Sequence, residues 1–157
     1  MSILEKLPDN IKLYIEQEKE NLLDGYIRFL KEDEISDILT IIEKSTMWQG
    51  GIPFATTGFA DVFVWNDGYV VLYKFSEADY NVILSGTTYF FENINDSEYQ
   101  KDFFDVDLYE KSVDKCGYID EKKCYTLEPI PALGGAREID YVHVGDMKTY
   151  LDMVTTF

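Results

Sequence analysis

The sequence predicts an α+β protein, with a central antiparallel sheet and helices before and after it. Three observations carry that prediction. Two largely apolar runs, 61–65 and 69–75, flank the turn Asn66-Asp67-Gly68, as in an antiparallel hairpin with glycine where a positive φ is needed. Ahead of them, Ile35, Ile38, Leu39 and Ile42 recur at the spacing of one helix face. Behind them, Met147, Tyr150, Leu151 and Val154 repeat that spacing just after Asp146, a residue suited to cap a helix. Helices set apart from a run of strands, instead of alternating with them, belong to the α+β class.

Taken in order, Leu7-Pro8-Asp9-Asn10 starts a helix with Asp9 or Asn10 as its cap, and Ile11, Tyr14 and Ile15 share one face. Glu16, Glu18 and Glu20 then form a solvated face. Residues 25–30 read as a short strand. Glu32-Asp33-Glu34 places acid in the first turn of the next helix, where the helix dipole favours it. Trp48 stands beside Gly50-Gly51, in a loop that either packs over the sheet or recognises a partner. Val62 to Trp65 is apolar at every position, which fits a strand covered on both faces. Asn81 to Leu84 adds a strand. Ser97 to Gln100 has capping-box spacing, and Val106, Tyr109 and Val113 form a helix stripe that Gly117 ends.

Lys123 to Leu127 is a strand that leaves its sheet through a stiff corner. Pro129 and Pro131 fix φ and remove donors, while Gly134-Gly135 provides a backbone free to take positive φ or to be approached closely. Ile139 to Val144 gives a further strand before the last helix.

At 157 residues with 46% hydrophobic and 15% aromatic content, the chain fits one domain with a real core. Its net charge of −16 disfavours nucleic acid and anionic membranes as partners and leaves a basic protein partner open, beside plain solubility. The start Met1-Ser2-Ile3-Leu4-Glu5-Lys6 has no apolar leader core, and no run spans a bilayer, so a cytoplasmic location is expected. Cys116 and Cys124 have no CxxC spacing and are expected to be reduced.

Gly117-Tyr118-Ile119-Asp120-Glu121, Cys124-Tyr125 and Pro129 through Gly135 resemble the C-terminal domain family of type VI secretion immunity proteins. Ile52 to Trp65 resembles the GAD-like domain that accompanies it, which commonly reads Phe-Gly-Asp where this chain has Phe59-Ala60-Asp61. The resemblance covers roughly residues 50–157. It divides the single domain 1–157 into an N-terminal helical part, 1–50, and a family-like part, 51–157. It implies a SUKH-like fold and an immunity protein that binds a cognate toxin and is not an enzyme. A SUKH-type regulatory scaffold that binds other proteins is the alternative.

The residues offer little for catalysis. His143 is the one histidine, and no nucleophile elbow, P-loop or HExxH motif is present. Cys116 lies among acids that disfavour a thiolate. No cofactor site is expected, and His and Cys are too few for zinc. Asp102, Asp105 and Asp107 lack the spacing and glycine of a calcium loop.

What stands out is charge. Between Glu92 and Glu121 ten acids face three lysines, a local net of −7, with Tyr99, Phe103, Phe104 and Tyr109 interleaved. Acids that steer and rings that anchor are what a binder of a basic protein presents. Asp102, Asp105, Asp107 and Glu110 are the expected charges, Phe103 or Tyr109 the expected anchor, and Trp48 the next candidate. The opposite reading turns those rings inward and leaves the acids as a solvated face.

Overall fold

A computed structural model describes residues 2–19 and 21–156. Glu20, expected on a solvated helix face, and Met1, at the head of the expected leaderless start, lie outside the described residues.

The helices are α1 (Asp9–Glu16), α2 (Glu32–Ile42), α3 (Phe90–Asn93), α4 (Ser97–Phe103), α5 (Val106–Cys116) and α6 (Met147–Val154). Strands β1 (Ile27–Phe29), β2 (Ile52–Thr57), β3 (Val62–Asn66), β4 (Tyr69–Lys74) and β5 (Asp79–Ser85) form one antiparallel sheet in sequential order. Strands β6 (Lys123–Leu127) and β7 (Val142–Asp146) form a separate antiparallel pair. The fold is therefore α+β, as the sequence predicts.

The hairpin expected at Asn66-Asp67-Gly68 joins β3 to β4, with Asp67 at φ 48° and Gly68 at φ 87°. Ile35, Ile38 and Ile42 are buried, and ahead of them the Glu34 carboxylate accepts from the Lys31 amide at 3.0 Å. Met147, Tyr150, Leu151 and Val154 are all buried, and the Asp146 carboxylate accepts from the Thr149 amide at 2.9 Å.

Two starts differ from expectation. Neither Asp9 nor Asn10 caps α1: the cap position is Pro8, without a side-chain bond. Asn10 instead donates to the Thr87 carbonyl and accepts from the Thr87 hydroxyl, both at 2.7 Å, pinning the helix to a distant loop. In α4 the cap is Asp96, whose carboxylate accepts from the Glu98 and Tyr99 amides, so Ser97 is already helical. β2 lies between β1 and β3 although it contains Pro53, which has no amide to give a ladder. Its register shifts between Pro53 and Ala55.

Phenylalanines fill the space between the sheet and α3–α4. Phe54, Phe63 and Phe90 are fully buried, and Phe63 meets the Phe90 and Phe104 rings edge to face at about 6 Å. Ala60 turns the β2–β3 loop with φ 64°, a left-handed conformation that suits the glycine usual in the GAD-like pattern. At the corner after β6, Gly134 takes φ 100°. Gly135 is crossed closely by backbone, so both glycine roles expected there are filled.

Candidate partner-binding site

The chain has two arginines, and both bridge the seam between the five-stranded sheet and the C-terminal segment, Arg28 buried and the Arg137 side chain 10% exposed. Arg28 on β1 reaches forward, donating to the carbonyls of Asp120 at 2.8 Å and Lys123 at 2.9 Å. Arg137 reaches back. Its Nη2 donates to Asp61 Oδ1 at 2.9 Å and Ser76 Oγ at 3.2 Å, and its Nη1 donates to Asp105 Oδ2 at 2.6 Å and Asp61 Oδ2 at 3.3 Å. Its Nε donates to Glu77. All five guanidinium hydrogens thus have acceptors, the full donor capacity of the group.

Sequence places each partner. Asp61 closes the tight loop before β3, where the Thr57 hydroxyl donates to it at 3.1 Å. Ser76 and Glu77 lie in the short helical turn that ends β4, and Asp105 stands between α4 and α5. Burial opposes the charge on Arg137, but Asp61, Asp105 and Glu77 outweigh it and raise its pKa above the ordinary guanidinium value. Asp61 is 1% exposed. Removing the guanidinium would leave it buried and uncompensated, at about 3–5 kcal/mol.

Arg137 and Asp105 form the floor of an open groove of about 780 Å³. One wall is the end of α4 and the first turns of α5, with Lys101, Asp107, Glu110 and Lys111; the other carries Glu138 and Asp140. The groove is acidic at its rim and uses its central cation internally. It can attract and seat positively charged side chains, and it brings no nucleophile and base together. Among the described residues, no three His, Cys, Asp or Glu side chains are grouped to hold a metal ion.

The expected site residues fall into distinct places. Asp107 and Glu110 are exposed, share α5 and line the groove. Asp102 is exposed on α4 outside the lining, and α4 ends at Phe103, so Asp102 and Asp105 do not share a helix. Asp105 is held by Arg137, with Lys74 Nζ at 3.8 Å from the same oxygen. It is a floor residue in an ion cluster, in contrast to the free charge expected. Tyr109 corrects the anchor expectation: it is 3% exposed, its ring sits edge to face with Tyr26 and Tyr125, and its hydroxyl donates to the Asp24 carbonyl at 2.8 Å. The apolar stripe of α5 draws it inward. Phe103 is half-buried with its ring centroid 5.0 Å from that of Tyr99. Trp48 is half-buried, its ring centroid 5.7 Å from that of Tyr73, and does not line the groove.

Arg137, Glu138 and Asp140 were not singled out by sequence reasoning, and Asp61 only as part of Phe59-Ala60-Asp61. A usable signal existed: with arginine so scarce beside lysine, each arginine marks a place where a planar five-donor group is needed.

His143 is exposed, with Nδ1 3.7 Å from Glu128. Cys116 is exposed and Cys124 buried, and both are free thiols. Among the described residues, no helix is long and apolar enough to cross a membrane.

No curated protein sequence matches the chain. The crystal structure of Atu4351 from Agrobacterium tumefaciens is similar in fold, with a TM-score of 0.65 and 12% identity, covering 96% of this chain and 76% of that one. Residues 85–157 match a family described as T6SS immunity protein Tdi1, C-terminal. The groove is lined entirely within that span, so the acidic site lies in the part of the chain that matches the T6SS immunity protein Tdi1 C-terminal family.

Proposed function

We propose that this chain is a cytoplasmic immunity protein that neutralises a cognate basic toxin, a nuclease, by occlusion. The observation that carries the reading is the acidic groove between α5 and the 137–141 segment, inside the family-matched part of the chain. A nuclease must present cations to phosphate. An acidic groove competes for the same cations, so the inhibitor needs no chemistry of its own. Asp107 and Glu110, with Asp102 beside the groove, provide the steering charge. Phe103, a half-buried ring close to those acids in sequence, serves as the anchor, and Trp48 is the next candidate.

The test is co-expression with the toxin-domain protein encoded beside this chain, in a host that the toxin kills. Survival only when this chain is present supports the reading. Survival in its absence, or death in its presence, sinks it. Digestion of labelled DNA by the purified toxin, with and without the chain, then separates a nuclease from other toxins.

A further inference from the structure

We propose that Arg137 is the positioning residue of the toxin-binding groove: it holds the two walls at a fixed separation, so that a partner meets a groove already formed. The inference rests on the immunity reading and adds to it the residue on which the site's shape depends.

The geometry points to Arg137 because it ties both walls of the groove to the sheet. Its own segment carries Glu138 and Asp140, the far wall. Through Nη1 it holds Asp105, where α5 and the near wall begin. Through Asp61, Ser76 and Glu77 it fastens both to the rigid sheet. Lys115, on α5, also links the two walls directly, its Nζ donating to the Ile139 carbonyl at 3.0 Å and the Val142 carbonyl at 3.1 Å. What Arg137 adds is the tie from both walls to the sheet. A site whose walls are already held loses less freedom on binding. A site that is formed only part of the time binds more weakly in proportion to that fraction.

Charge makes the idea testable, because positioning and plain electrostatics demand opposite signs. Arg137→Gln makes the groove more acidic. If the guanidinium acted only through its charge, a basic toxin would associate faster and with a steeper salt dependence. If it positions the walls, association slows, on the order of tenfold for a groove formed a tenth of the time. Asp61→Asn is the second variant. Asp61 does not line the groove, so it leaves the lining charges alone while weakening the clamp. Glu77→Gln, at a partly exposed partner of Arg137, is the milder third, in case the first two fail to fold.

Two measurements decide. Hydrogen exchange on the free protein reads whether residues 105–108 and 134–141 loosen in the variants relative to wild type. Stopped-flow binding at two salt concentrations, with the toxin-domain protein encoded beside this chain, reads association. The expected result is faster exchange in both segments and slower association in every variant that folds. Unchanged exchange, or association that is unchanged or faster while wild type binds, overturns the positioning role and leaves the immunity reading standing. Failure of wild type to bind that toxin overturns both.

Discussion

Gly135 lies against the carbonyl of Pro129 so closely that a Cβ built on it would stand 1.7 Å from that oxygen. Backbone meets backbone there, and no side chain can swing aside. Its neighbour Gly134 has φ 100° with no atom within 4 Å of a Cβ. Gly135→Ala is therefore expected to destabilise by more than about 3 kcal/mol, since overpacking against fixed atoms cannot relax. Gly134→Ala meets only conformational strain, about 1–2 kcal/mol. Urea denaturation of the two variants checks the order.

Ala78 and Ala60 both take left-handed backbone, at φ 54° and φ 64°. Glycine relieves about 1–2 kcal/mol of strain at such a site and returns about 0.4–1 kcal/mol through the freer unfolded chain. Ala78 is exposed, so Ala78→Gly is expected to stabilise by about 0.5–1 kcal/mol. Ala60 is 2% exposed, and losing its buried methyl forfeits about 0.8 kcal/mol. Ala60→Gly should then lie near zero. Thermal melts of both variants test the contrast.

Burial pushes the Cys124 thiol up to about 12 from 9.0 and the Tyr99 and Tyr150 phenols up to about 12 from 10.0. Each holds its proton more tightly folded than unfolded. Their contribution to stability is complete below the unfolded values and is lost as pH rises through the folded ones. Stability should fall across the window from about pH 9 to about pH 12. Absorbance of tyrosinate, followed together with far-UV circular dichroism, should show these phenols ionising with unfolding. Full ionisation ahead of any loss of structure would contradict the assignment.

Asp107→Lys with Glu110→Lys is expected to slow association with a basic toxin several-fold and flatten its salt dependence, with little change in fold stability. Both residues are exposed. Asp105 is unsuited to the same test, because a lysine there would face Arg137 and Lys74. Tyr109→Ala should destabilise by about 3–5 kcal/mol as a buried aromatic truncation, so it reports on folding and not on release from a partner. Binding kinetics at two ionic strengths and a melt of each variant check the set.

Periodicity made much of this molecule legible. Ile35, Ile38 and Ile42 on α2, and the four buried residues of α6, follow from spacing alone, and Asn66-Asp67-Gly68 announced its hairpin. β2 was harder because Pro53 argues against an inner strand; β1 pairs with β2 only at Ala55, Thr56 and Thr57, beyond Pro53, and the register shifts beside the proline. On α5, charge and ring were equally visible in the sequence, but which ring turned inward depended on Tyr26 and Asp24, some eighty residues earlier. The Arg137–Asp61 pair spans 76 residues, and no local pattern encodes a contact of that range. Scarcity of arginine was its only local trace.

The reciprocal arginines also bear on where the molecule divides. The family-matched segment begins at residue 85, as if a boundary lay there. Physically it is a seam sewn from both sides. A fragment of 85–157 would carry Arg137 without Asp61, Ser76 or Glu77, and residues 120–123 without Arg28. Such a fragment inherits a cation whose counter-charges were left on the other piece. The second part of the sequence therefore cannot readily be transplanted onto a foreign scaffold unless the acids that receive Arg137 travel with it.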